Sequence, residues 1–441
     1  MARSVEVSTV RDLSSSLPDE LLAEIFLHLH SCRLGESERS DLAYHPTPPW
    51  VPASHVCARW RNVAIHCRKL WSFIVDADPH WTKISIQRSD PLPISLRAEI
   101  YPTTPHESIV ALIDLIKPAR LASVQIWFSA SASTDPDDEP YTWWLIKLTT
   151  SPTPWLKHFE IAVSYEQVEG PSRDTTNIQL CLPWDYLGKG EESPLRSLKL
   201  SQCVLTTLFV LHGSSKLVSL NLDHCFYAED EDGDVLGYDF LLDALSASPN
   251  LENLSLSWST SPGGPALGSS FVTHSIKLPR LRAFYLDDDL GRAFDLLSYI
   301  SIPSSANTHI GLEWEAEEAD AASYIAKVQD FDVDGLLLDS QPSPYRDFYI
   351  TQHDLTQHER SSSRIGFDVS LRGGLLQSDE QTLTFSFNLP SPESMDSLSM
   401  AVLASILKSL APQLSLMNTL IMGVNPVHFD WVREVSAWGN I

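Results

Sequence analysis

Side chains that could bind a metal, move a proton or act as a nucleophile gather at four places in this sequence. They are His66-Cys67, the acidic run 229–234 (EDEDGD), His353 and His358 within 352–364, and the carboxylates Glu313, Glu315, Glu317 and Glu318. Zinc needs cysteine and histidine pairs at short fixed spacing, and the chain has neither a CxxC pair nor a second pair beside His66-Cys67. A calcium loop with Gly233 at its sixth position would start at Ala228 and end at Asp239, where aspartate and glutamate are required. That run therefore reads as a polar insertion, like 130–140 (ASASTDPDDEP). The two histidines read as a solvated loop, and the four glutamates as a solvated helical or loop face. The glycines of 263–268 (GGPALG) make a turn and not a phosphate loop, since no lysine follows. There is no nucleophile elbow, dinucleotide fingerprint, HExxH or kinase signature. The expectation is a protein without catalytic residues, metal or cofactor.

Composition narrows the partners. The 441 residues carry a formal net charge of −26, with a pI near 4.8. General nucleic-acid binding needs a basic face, and anionic membranes repel such a chain, so neither is expected as a partner. The densest basic group, Arg59, Arg61, Arg68 and Lys69, reads as the wet side of a helix. Six cysteines over this length do not make a disulfide framework. The N-terminus lacks a signal-peptide apolar run, and no stretch reaches the roughly eighteen apolar residues of a membrane span. The expected location is cytoplasm, nucleus or both. The sequon at Asn253 then has no glycosylation context.

What the chain does carry is apolar spacing. Leu21, Leu22, Ile25, Phe26 and Leu29 recur at helical intervals behind Leu17-Pro18, with Asp19 and Glu20 suited to the first turn. Val56, Cys57, Trp60 and Ala64 share a second helical face, with Ser54 available as N-cap. Leu70, Trp71, Phe73 and Ile74 close the segment. Helices this few and short cannot bury every apolar side chain among themselves. The surplus packs on the rest of the chain or docks another protein's helices.

The order LPxELxxxIF, then VCxxWR, then LW resembles the F-box. The match runs over 16–75 and is interrupted by an insert, 31–52, longer than is typical. With Pro46, Pro48, Pro49 and Pro52, the insert reads as an exposed loop. The resemblance implies a docking face, with its immediate support, made of Leu17, Pro18, Leu21, Leu22, Ile25, Phe26, Leu29, Val56, Cys57, Trp60 and Trp71. Phe26 and Trp60 are the expected anchors, with core as the alternative for either and an equal one for Trp60. The implied partner is a Skp-type linker and, through it, a cullin–RING ubiquitin ligase.

Residues 1–15 read as a mobile tail, and 76–441 as a second domain. In it, 81–87 and 92–99 look like strands and 109–116 like a helix. A pattern LxxLxL then recurs from Leu121, Leu156, Leu195, Leu217, Leu251 and Leu281, with Cys203 and Cys225 at the ninth place of the third and fourth copies. Fainter copies start at Val333 and Met417. Helical stretches at 240–245, 293–300 and 403–410 lie between. Such strand–turn–helix units cannot bury their faces alone, so they stack. The pattern resembles leucine-rich repeats. Its spacings of 35, 39, 22, 34 and 30 residues are ragged against a usual length of about 20–29. The longer gaps hold insertions or hide degenerate copies, and an unrelated α/β fold is the alternative. Trp431, Trp438 and Ile441 read as an unfinished repeat without a cap.

The expected fold is thus α/β: a helical F-box followed by an irregular leucine-rich-repeat-like solenoid. As a whole it is similar to the large F-box group of fungi. The expected function is a substrate-recruiting adaptor, with a repeat scaffold independent of ubiquitin transfer as the second reading. An enzyme on an unrecognised α/β fold is a third, for which the sequence offers no site. The substrate is unknown. Outward residues of the clear copies, such as Lys199, Asn221, Ser255 and Tyr285, are mixed in character, and only the overall acidity tilts slightly toward a basic partner.

Overall fold

A computed structural model describes residues 16–36, 48, 50–75, 79–101, 104, 115–130, 153–165, 178–180, 194–205, 215–227, 239–259, 276–303, 305–313, 345–354, 364–373, 381–390 and 419–423. It divides into two compact units, Met1–Ile126 and Trp127–Ile441.

The first unit opens with helices α1 (Asp19–Glu36), α2 (Val51–Ser54), α3 (Ala58–His66) and α4 (Arg68–Trp71). Strand β1 (Phe73–Val75), helix α5 (Pro79–Ser89) and strand β2 (Ile94–Ile100) follow, with β1 and β2 paired in parallel. Leu22, Phe26, Trp50, Val63, Ala64, Leu70 and Trp71 form one buried cluster.

Three expectations are corrected here. Residues 81–87 are helical, within α5, because the buried side of that segment is Thr82, Ser85 and Ser89 at helical spacing. Ser54 closes α2, its hydroxyl donating to Val51 O at 2.7 Å; the N-cap of α3 is Cys57, whose Sγ accepts the Trp60 N–H at 3.5 Å. The insert is not an exposed loop at its ends. Residues 31–36 continue α1, and Trp50 is buried edge-on against Trp71, ring centroids 4.6 Å apart. The helix expected over 109–116 lies mostly outside the described residues.

Strand β3 (Leu121–Ala130) contains the division point. In the second unit come β4 (His158–Tyr165), β5 (Ile178–Leu180), β6 (Ser197–Ser201), β7 (Cys203–Leu205), β8 (Ser219–Asp223) and β9 (Phe226–Tyr227). Helix α6 (Asp239–Ser246), β10 (Asn253–Ser257), β11 (Ile276–Lys277), β12 (Ala283–Asp289), helix α7 (Leu290–Tyr299), β13 (Ile300–Ser301) and β14 (Asn307–Glu313) continue it. The chain is therefore a mixed α/β protein built on a parallel sheet, in which β4, β6, β8, β10, β12 and β14 are successive neighbours.

Register explains the leucines. Phe159, Leu198, Leu220, Leu254, Phe284 and Thr308 stand side by side, as do Ile161, Leu200, Leu222, Leu256, Leu286 and Ile310. All are buried, so alternate residues face in and their neighbours face out. The leucine two residues before each of β6, β8, β10 and β12 is also buried, and turns the chain into its strand. The entry is stitched by paired amides: Val218 and Ser219 donate to Arg196 O, and Glu252 and Asn253 to Val218 O.

The exits of β6, β8 and β10 each have one corner. Gln202, His224 and Trp258 take left-handed backbone angles (φ 55, 49 and 47°), and each N–H donates to the last outward residue of the next strand: Asp223, Ser257 and Asp287. The ninth-place side chains, Cys203, Cys225 and Ser259, then stack inside the bend. Cys225 Sγ donates to Leu200 O (3.4 Å), and its N–H donates to Ser259 Oγ (3.1 Å). Burial pushes both thiols up, Cys225 to about 12, so they pack as small neutral groups. Past the corner, β5, β7 and β9 form a second, short parallel sheet. Helices α6 and α7 bury Leu241, Leu242, Leu245, Phe294, Leu296 and Leu297, and α7 packs against β12 and β14.

The pattern changes after β14. Strands β15 (Tyr345–Asp354), β16 (Arg364–Gly373) and β17 (Gln381–Pro390) form an antiparallel ladder, and β18 (Thr419–Gly423) pairs in parallel with β15. Of the faint copy from Met417, the described residues 419–423 form a strand, whose partner β15 belongs to that ladder and not to a neighbouring copy. The copy from Val333 and the helix over 403–410 lie outside the described residues.

Candidate functional site

Two surfaces carry the residues of interest. The first is on α1. Positions four apart split into two rows: Leu22 and Phe26 point into the cluster, while Leu21, Ile25 and Leu29 are 51, 40 and 43 % exposed. Val56, just before α3, is 63 % exposed, and Cys57 beside it is exposed as well. Pro18 is exposed and Leu17 half-buried. The eleven expected docking residues therefore separate into a contactable set (Pro18, Leu21, Ile25, Leu29, Val56, Cys57) and a supporting set (Leu22, Phe26, Trp71), with Leu17 and Trp60 between. Phe26 is core and not an anchor, because its row faces Ala64 and Trp71 in the cluster.

The two halves of the segment are joined despite the insert. Phe26 meets Trp60 edge-to-face at 5.5 Å. Arg59 reaches back to α1, its Nη2 and Nε at 2.7 and 3.0 Å from Asp19 Oδ1, and Nη2 also donates to Leu17 O. The Trp71 indole N–H donates to Ala64 O at 2.9 Å, and Arg88 lies over the Trp71 ring at 4.3 Å. The Trp60 indole N–H is buried and has no hydrogen-bond partner among the described residues.

The second surface is the outward face of the parallel strands. One row reads Glu160, Lys199, Asn221, Ser255, Tyr285, His309; the next reads Ala162, Ser201, Asp223, Ser257, Asp287, Gly311. Lys199 and Glu160 neutralise each other at 3.0 Å. Tyr285 stacks on His309, centroids 4.9 Å apart and planes 11° from parallel. Tyr285 is 38 % exposed. Asp223 accepts from the Ser201 hydroxyl (2.8 Å) and pairs with His224 Nδ1 (2.8 Å), which holds its carboxyl below the ordinary range and raises the His224 imidazole. Asp287 behaves oppositely. Burial pushes its carboxyl up, and its contact with the Tyr285 hydroxyl is long, 3.4 Å. Burial and the Asp287 charge raise the Tyr285 phenol to about 12, so it remains a donor.

Sequence reasoning named Lys199, Asn221, Ser255 and Tyr285 on this face and missed Asp223, Asp287 and His309. The signal was present: Asp223 and Asp287 occupy the same place in their copies. The run Asp287-Asp288-Asp289 also divides by role. Asp288 is buried and faces inward, accepting the Asp289 N–H and approaching Arg292 Nη1 at 3.8 Å, while Asp289 caps α7 by accepting the Arg292 N–H.

Among the described residues no three of His, Cys, Asp and Glu converge as a metal site, and no helix is long and apolar enough to cross a membrane. The run 229–234, His358 and the glutamates after Glu313 lie outside the described residues; Glu313 itself ends β14.

No family model matches the chain, and no curated protein matches it. A search of solved structures returns InlP of Listeria monocytogenes at 12 % identity, covering 65 % of this chain and 90 % of that one, with a TM-score of 0.14. A likeness at that score carries no argument.

Proposed function

We propose that the protein is a non-catalytic adaptor: an F-box-like unit docks a Skp-type linker of a cullin–RING ubiquitin ligase, and a leucine-rich-repeat-like solenoid holds a protein substrate on its outward strand face. The observation that carries this is the exposed row Leu21, Ile25, Leu29 standing on the buried row Leu22, Phe26. Apolar side chains kept in water in a line, on a helix clamped at its base, are a surface awaiting another helix. Covering one such side chain fully contributes about 1.5–3 kcal/mol, so three of them offset a good part of an association cost. An adaptor does no bond chemistry; it raises the effective concentration of a substrate beside the transferring enzyme.

The test is co-purification with a Skp-type linker, wild type beside Leu21→Asp/Ile25→Asp. Both positions are exposed, so the double variant keeps the fold. A stoichiometric wild-type complex that the variant loses is the expected result. No complex with the wild type sinks the docking reading. The regular stack of β4 to β14 then supports the second reading, a repeat scaffold acting without ubiquitin transfer.

A further inference from the structure

On the outward face, β10 presents small side chains between larger ones. They are Ser255 and Ser257, each smaller than its register neighbours on β8 and β12. Asn221 and Asp223 of β8 stand on one side, Tyr285 and Asp287 of β12 on the other. Strands lie roughly 4.8 Å apart, so the two walls are on the order of 10 Å from each other, room for one planar side chain. Tyr285 stacks on His309 of β14, so its second ring face looks the other way, over Ser255. The register neighbours on that side are the serines of β10.

Asp287 is held there by an omission on β14. A Cβ at Gly311 would come within 2.5 Å of Asp287 Oδ1 and 3.0 Å of its Cγ, so glycine leaves the space the carboxylate occupies. The geometry points to an arginine subsite: the guanidinium of an extended partner segment lies on Tyr285 above Ser255 and Ser257, against the carboxylate of Asp287 and across from the Asp223–His224 pair. A planar cation matches a ring face with a carboxylate at its edge better than a compact ammonium does. The charge is complementary as well, for the chain carries −26. The raised carboxyl of Asp287 fits this picture, since a buried carboxylate gains most from an arriving cation. The inference rests on the strand face being the capture surface.

The experiment uses the full chain without a linker and a displayed library of random twelve-residue peptides. Enriched peptides are resynthesised with citrulline or lysine in place of arginine, and binding is measured by fluorescence anisotropy. The expected result is arginine at one fixed position, at least tenfold weaker binding on citrulline substitution, and a smaller loss with lysine. Asp287→Asn and Tyr285→Ala should each weaken binding at least tenfold. Ser255→Leu should do the same while leaving every charge in place. Glu229→Gln/Asp230→Asn, which removes two charges and keeps Tyr285, Asp223 and Asp287, should leave it unchanged. Enrichment without arginine, or equal weakening by the 229/230 variant, overturns the subsite. So does wild-type binding by Ser255→Leu. Loss of linker binding with arginine selection intact sinks only the docking reading; the reverse pattern sinks only this one.

Discussion

On α1, Leu22 and Phe26 are buried and Leu21, Ile25 and Leu29 are not, yet all five are apolar. On β8, β10 and β12 the side facing the interior is leucine and phenylalanine, save Asp288, and the side facing out is serine, asparagine, aspartate and tyrosine, save Ala283. Both elements are two-sided, but only the strands change chemistry between sides. A helix with apolar residues on more than one row has more greasy surface than its own unit covers, whereas a strand with strict alternation has none to spare. The first asks for a partner matched by shape and burial, the second for one matched by charge and hydrogen bonds.

The largest expected effect breaks the helical side of this contrast. Phe26→Ala should cost about 3–5 kcal/mol, because it leaves a cavity beside Trp60 and Trp71. Leu21→Ala, one helical row away, should stay within about 0.5 kcal/mol. Urea unfolding of both variants measures the difference, and equal losses would mean that the exposed row is packed.

Next in size is Gly311→Ala on the strand side. The new methyl meets the Asp287 carboxylate, which should cost about 1–3 kcal/mol. Combined with Asp287→Gly, most of that loss should vanish. A double-mutant cycle that comes out additive would show that the glycine serves another purpose.

The smallest effect separates the two outward carboxylates. Asp223 sits below its ordinary value of 3.8, so its contribution is present above that pH and is lost as pH falls through the folded value. Asp287 sits above 3.8, so its ionisation costs stability as pH rises through the folded value. At pH 7, Asp223→Asn should lower Tm and Asp287→Asn should raise it. Each shift should be about 1–3 °C, since both side chains are partly solvated. At pH 3 both differences should shrink. Shifts of the same sign at pH 7 would erase the distinction between them.

How much of this was legible follows from which residues carried the signal. The leucines announced β6, β8, β10 and β12 because each inward position is filled by the same kind of side chain. Helix α5 stayed hidden because its buried face is threonine and serine, while its isoleucines and tryptophan favour strands by propensity. Trp50 could have been singled out, as a large aromatic among prolines has little reason to be there unless it is buried. The N-cap was misplaced because serine is the commoner cap and cysteine a weak acceptor. The ladder β15 to β17 has no leucine spacing of its own, so nothing in the repeat logic reaches it. On the strand face, the roles of Asp223 and Asp287 depend on which strands lie side by side, and a single copy does not show that.

The corners at Gln202, His224 and Trp258 have a practical consequence. Strands β6, β8 and β10 are each fixed at entry by paired amides and at exit by one left-handed residue bonded to the next strand. Alignment is thus set at the two ends of these strands and not by the length of chain between them. Leu195 to Leu217 spans 22 residues and Leu217 to Leu251 spans 34, and β6, β8 and β10 still match residue for residue. A foreign peptide spliced between Tyr227 and Asp239 should leave every pairing of β6, β8 and β10 in place, which makes this molecule a natural chassis for grafted loops.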